Sequence, residues 1–281
     1  MKVQESLFIQ KKKPLLKKLL DMLLERYPYA SILAEDAKSG NYSVSRKNMS
    51  VSEAKRGTSR GFVVKVSDGK HYAEYSFNQI TEQDLDNLCA RITELVESSD
   101  KVMPEGLCES EYHVPAEEKA EFCGSTDYEI DPETLGDDAI LAHFVKIRDE
   151  GLAFSEKILD CQVSASYQRY TKLFWSRDRM MEQSVMWMTG LLCFVAAKGE
   201  EFKTYYRTYS NLGRAEVLSK IDADIEECAK AVLELLDSET ITPGEYDCIC
   251  SPEVTGMIVH EAFGHGVEMD MFVKKSALAE Q

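Results

Sequence analysis

Near the end of this sequence the stretch "IVHEAFGHGVEMD", residues 258–270, brings His260, Glu261 and His265 together, and with them two of the five histidines. Histidine followed directly by glutamate is the pair that zinc hydrolases carry on a buried helix. One imidazole holds the metal, and the adjacent carboxylate takes a proton from the attacking water. The familiar spacing is HExxH, whose histidines are four apart and about 40° from each other around a helix. His260 and His265 are five apart, which an ideal helix separates by about 140°. Rings that diverge so far cannot grip one ion. They converge where the helix widens to an i→i+5 turn, or unwinds just before the second histidine. Gly264 and Gly266 flank His265 and free the backbone for either course.

A plain helix end uses the same residues: glycine near the last turn, and histidine favourable against the dipole. The concentration of histidines here, and the acids Glu268 and Asp270 on the next turn, weigh on the side of chemistry. Upstream, Tyr246–Cys250 reads as a short strand. Ser251-Pro252-Glu253 then forms a helix start, with serine as cap, proline first and an acid near the positive end. The helix runs on through Val254, Ile258 and Ala262.

The remaining chain must position that helix. Its 281 residues suffice for one large domain or two ordinary ones. Hydrophobic residues at 44% and charged residues at 29% are those of a globular protein. The N-terminus lacks a signal-peptide pattern, since Lys17 and Lys18 break its leucines. A net charge of −16 repels phosphate backbones, which argues against direct nucleic-acid binding. No apolar run is long enough to cross a membrane. Eight scattered cysteines without a CxxC pair read as buried free thiols in a reducing cytoplasm.

Periodicity gives a plan that repeats. A helix over residues 14–27 buries Leu16, Leu19, Leu20 and Leu23. Strands follow in "ASILAEDA", "NYSVSRKN", "GFVVKVSDG" and "HYAEYSF", with Asp68-Gly69 a hairpin turn. A second helix starts at Thr81 and places Leu85, Leu88, Cys89, Ile92, Leu95 and Val96 on one stripe. Residues 100–135 form an acidic connection with one extended segment. A helix over 137–157, strands over 159–209 and a helix from Arg214 to Leu236 then repeat the order. Gly61 lies over Gly190, Asn48 over Asp178 and Gly69 over Gly199, at shifts of 129 or 130 residues. The predicted class is α+β, with two duplicated helix–antiparallel sheet–helix units (about 14–99 and 137–236) in a domain over 1–240. The motif region occupies 241–281.

Other groups read as structural. His71, His113 and His143 stand alone, Cys248 and Cys250 fit a buried strand, the aromatics and methionines of 168–209 fit core and sheet face, and "KKK" at 11–13 reads as a solvated lead-in.

The run from Gly256 to Asp270 resembles the signature of the TldD/PmbA family of metallopeptidases, of the TldD type, long labelled modulators of DNA gyrase. The family's HExxxH falls on His260, Glu261 and His265, and its trailing acids on Glu268 and Asp270. The preceding residues are similar to the family's N-terminal domain in layout. The resemblance implies a zinc-dependent peptidase acting on unfolded or small peptides. His260 and His265 would be ligands and Glu261 the general base. The partner would be a second copy or a TldE/PmbA-type subunit. It also implies a β-rich C-terminal domain carrying a cysteine as third ligand. No cysteine follows His265, so that domain is expected to lie beyond Gln281 and this portion to be metal-free or weakly loaded, and inactive alone. The alternative is a non-catalytic partner-binding subunit with inert histidines.

Overall fold

The computed structural model describes residues 2–53, 59–69, 72–102, 116–212, 217–273 and 276. His71, His113, Cys108, Arg214 and part of the acidic connection lie outside them. The chain divides into two compact units, one of residues 1–105 and 112–238, the other of 106–111 and 239–281.

In the first unit, helix α1 runs Leu7–Leu24 and is capped by Ser6, whose hydroxyl accepts the Ile9 N–H. It starts a turn or more before the predicted residue 14 and continues through Pro14. An interior proline costs about 3 kcal/mol. Each fully buried leucine returns about 1.5–3 kcal/mol, and Leu16, Leu19, Leu20 and Leu23 are all buried along with Ile9. The apolar stripe therefore outweighs the proline.

Strand β1 (Tyr29–Val44) follows, then β2 (Met49–Glu53), β3 (Ser59–Ser67), β4 (Tyr72–Phe77) and helix α2 (Leu85–Val102). The two predicted strands between 30 and 48 are thus one. Gly40, which lies between them, is a mid-strand glycine against which the Tyr167 ring packs. A Cβ there would lie 2.5 Å from that ring. Strand β5 (Ala120–Ser125) is the extended segment of the acidic connection, followed by a short helix α3 (Pro132–Leu135). Helix α4 (Asp137–Ala153), strands β6 (Ile158–Ser176), β7 (Arg179–Lys198) and β8 (Glu201–Leu212), and helix α5 (Val217–Leu236) complete the unit.

Among the described residues the strands form one eight-stranded sheet in the order β4-β3-β1-β6-β7-β5, with β2 beside β1 and β8 beside β7. Pairing is antiparallel except for β5 with β7. The duplication is visible in the registers. The β3–β4 hairpin pairs Phe62 with Phe77 and Ser67 with Tyr72. The β7–β8 hairpin pairs Leu192 with Arg207 and Ala197 with Phe202. Every residue is displaced by 130. Gly69 and Gly199, at the two turns, both adopt positive φ, 98° and 65°. At the other turn Val44 pairs with Met49 and Trp175 with Met180. The shift there is 131, so Asn48 corresponds to Arg179 rather than to Asp178.

Each half has its own core. One gathers α1 and α2 over Ile32, Phe62, Val64 and Val66. The other gathers α4 and α5 over Val163, Leu192 and Phe194. The halves interlock through their first strands, which pair antiparallel. Tyr42 and Val44 of β1 reach the second core, and Leu173 of β6 reaches the first.

The lysine run is more than a solvated lead-in. Lys12 donates to the Ile80 carbonyl at 2.9 Å. Lys13 ion-pairs with Glu182, a carboxylate only 2% exposed. His143 is a satisfied histidine, with Nε2 3.0 Å from Asp222. No described helix is long and apolar enough to cross a membrane.

In the second unit Tyr246–Cys250 carries no regular secondary structure and pairs with no strand among the described residues, so the predicted short strand does not form. A strand needs a ladder partner to satisfy its backbone. Cys248 and Cys250 are accordingly exposed rather than buried. Helix α6 spans Pro252–Val259, and α7 spans Met269–Val273.

Candidate metal centre

Helix α6 begins where Ser251 is extended (φ −64°, ψ 160°) and Pro252 takes the first position. The Ser251 hydroxyl makes no bond to the helix backbone. It is instead hydrogen-bonded to the Glu253 carboxylate, which also accepts from its own N–H. These two contacts hold that carboxyl below its usual range. The acid therefore serves the helix start that serine was expected to cap.

At His260 the helix changes pitch. Residues His260–Gly264 form a π turn, and the His265 N–H donates to the His260 carbonyl five residues back. This is the i→i+5 widening that an HExxxH spacing requires. The His260 and His265 ring centroids are consequently 4.6 Å apart. Glu261 joins them, its Oε2 lying 3.7 Å from His265 Nε2. One donor atom from each of His260, Glu261 and His265 falls within 4.8 Å of the others. All three sequence-predicted site residues are together, and all are exposed.

The glycines work differently from expectation. Gly264 has φ −56° and ψ −51°, values open to any residue. A Cβ on it would meet His260 Nδ1 at an ordinary 3.8 Å. The widened turn is built from right-handed helical angles, without a left-handed residue.

A 3₁₀ turn, His265–Val267, closes the segment. Glu268 is then extended (φ −67°, ψ 144°), which ends the helix and turns the carboxylate back. Its Oε1 accepts from His265 Nδ1 at 2.9 Å. Glu268 was singled out from sequence as a trailing acid, but no role was assigned to it. Only the placement of its backbone one turn past His265 makes the contact.

The two imidazoles are nitrogen donors of the kind zinc takes, and the Glu261 carboxylate stands beside them where it can take a proton. The residues present fit such an ion.

With the fold and the site described, relatives can be compared. No family model matches the chain. A protein of Methanothermobacter thermautotrophicus named a metalloprotease is 28% identical over 109 residues, 37% of this chain and 24% of that protein. A solved structure from Bacteroides thetaiotaomicron, described as a modulator of DNA gyrase, superposes with a TM-score of 0.65 at 15% identity. The match covers 91% of this chain and 57% of that one. A Thermotoga maritima structure of the same description gives a TM-score of 0.58 at 15% identity, covering 82% and 50%. The chain has the fold of these two structures. The chain spans about half the length of the TldD/PmbA-type structures it matches, and a quarter or less of the curated relative.

Proposed function

We propose that this chain carries the metal-binding helix of a zinc-dependent peptidase of TldD type. The observation that carries the proposal is the π turn at His260–Gly264, which brings both histidines onto one side of Glu261. An ordinary helix end gives no reason for that pitch change, because it would leave the rings on divergent faces.

His260 and His265 would hold the ion. When bound, zinc lowers the pKa of a water towards about 7 and polarises a carbonyl. The chain's own groups do the rest. Glu261 lies within the π turn with its Oε2 3.7 Å from His265 Nε2, and its carboxylate takes the proton of the attacking water. The same carboxyl then delivers that proton to the leaving amine. The family resemblance supports unfolded or small peptides as substrates. It also supports assembly as a homodimer or with a TldE/PmbA-type subunit, in the cytoplasm.

The competing proposal, a non-catalytic partner-binding subunit, is disfavoured because inert histidines have no need to converge. Peptide hydrolysis by the full-length gene product, measured for wild type and Glu261→Gln, tests the peptidase role. The amide keeps the shape and polarity but cannot take a proton, so turnover should fall by about a hundredfold or more. Hydrolysis at the wild-type rate would end the general-base assignment.

A further inference from the structure

We propose that Glu268 is a positioning residue, one that selects which nitrogen of His265 is offered to the metal. This rests on the peptidase proposal above, but its test does not need activity.

His265 Nδ1 lies 2.9 Å from Glu268 Oε1. An ionised carboxylate only accepts, so Nδ1 must carry the ring proton. In the neutral ring Nε2 then keeps its lone pair. Nε2 is also the nitrogen that lies 3.7 Å from Glu261 Oε2, on the side where the donor atoms of His260, Glu261 and His265 gather. Glu268 therefore sets the tautomer and the direction of the ring together. Without it the ring is free to place its proton on Nε2, where a metal must displace it.

The backbone makes this possible. The extended conformation at Glu268 stops the helix one turn past His265, and α7 starts on it, with the Met271 N–H donating to the Glu268 carbonyl at 3.0 Å. His265 and Glu268 are each about half exposed, at 50% and 53%. Such a pair adds little to stability, so its role is orientation. Partners of this kind usually change metal affinity by about tenfold to a hundredfold.

The test uses this chain for spectra and the full-length gene product for zinc binding, with zinc alone as the probe, and two variants, Glu268→Ala and Glu268→Gln. Nitrogen-15 correlation spectra of the metal-free protein read the His265 tautomer, with His265→Gln assigning the signal. Wild type should show the Nδ1–H form, and Glu268→Ala should shift towards Nε2–H. Glu268→Gln keeps an acceptor oxygen and should preserve the wild-type tautomer. Zinc affinity should fall by about tenfold to a hundredfold in Glu268→Ala and by less in Glu268→Gln. Circular dichroism checks that both variants keep their helix content. An unchanged tautomer in Glu268→Ala overturns the proposal, as does an unchanged zinc affinity. Should the wild-type full-length gene product bind no zinc, the peptidase proposal fails, and the tautomer spectra of this chain still decide what Glu268 does to His265.

Discussion

The His265 N–H donates to the carbonyl of His260, and the two rings stand 4.6 Å apart at their centroids. A single widened turn thus converts a five-residue spacing into convergent donors. Nothing else in the segment has to bend. The same carbonyl in an α-helix would receive the N–H of residue 264, and the rings would part.

The equivalent turns of the two halves should respond alike to substitution. Gly69 and Gly199 have positive φ, and a Cβ on either meets nothing within 4 Å. The cost of alanine is therefore the backbone penalty alone, about 1–2 kcal/mol at each site. Asparagine tolerates this region better, so Gly199→Asn should cost less than Gly199→Ala. Urea unfolding of the variants reads both effects. Alanine without cost at Gly199 would show that the turn is not held as described.

Buried Glu182 depends on α1. Its carboxylate pairs with Lys13 and accepts from Gln10 Nε2 at 2.8 Å. Lys13→Ala leaves the charge without its counter-ion and should cost about 2–4 kcal/mol, discounted because the Lys13 side chain keeps some exposure. Lys13→Met combined with Glu182→Met should recover most of that loss. A single variant as stable as wild type would mean that the pair contributes nothing.

Much of this was legible in the sequence, and for physical reasons. The leucine stripe of α1 and the alternation of Phe62, Val64 and Val66 encode buried faces directly, and Gly69 and Gly199 mark turns that only a permissive residue makes easily. The His260–Glu261–His265 cluster was legible because helical geometry allowed so few ways for the rings to meet. What stayed hidden depends on contacts across the chain. The start of α1 at Leu7 and its passage through Pro14 follow from burial against the sheet. Gly40 resembles a turn until the Tyr167 ring is set against it. Lys13 resembles a solvated charge until Glu182, 169 positions away, is brought beneath it. Tyr246–Cys250 has the alternation of a strand, but no pattern within it supplies a partner.

Alkaline stability should report the buried thiols. Burial is the main cause that pushes Cys161 up to about 12 and Cys228 up to about 11. Unfolded thiols ionise near 9, so between that value and about 12 the native state holds more protons than the unfolded one. Their contribution is complete below pH 9 and is lost as pH rises through the folded values. Burial also raises Tyr167 and Tyr209, which act in the same direction. The urea midpoint should fall from pH 9 upwards, less steeply in Cys161→Ala than in wild type. Equal slopes would show that Cys161 ionises freely. Alkylation near pH 8.5, about the ordinary cysteine value, should label exposed Cys248 and Cys250 and spare Cys161 and Cys228.

The most direct test of the metal centre is zinc titration by calorimetry on the full-length gene product, as wild type, His260→Ala, His265→Ala and Glu261→Gln. Convergence of the two rings predicts that wild type binds one zinc, that either histidine variant loses it, and that Glu261→Gln retains it. Zinc bound equally well by His260→Ala and His265→Ala, or no binding by wild type, would contradict the assignment of His260 and His265 as ligands.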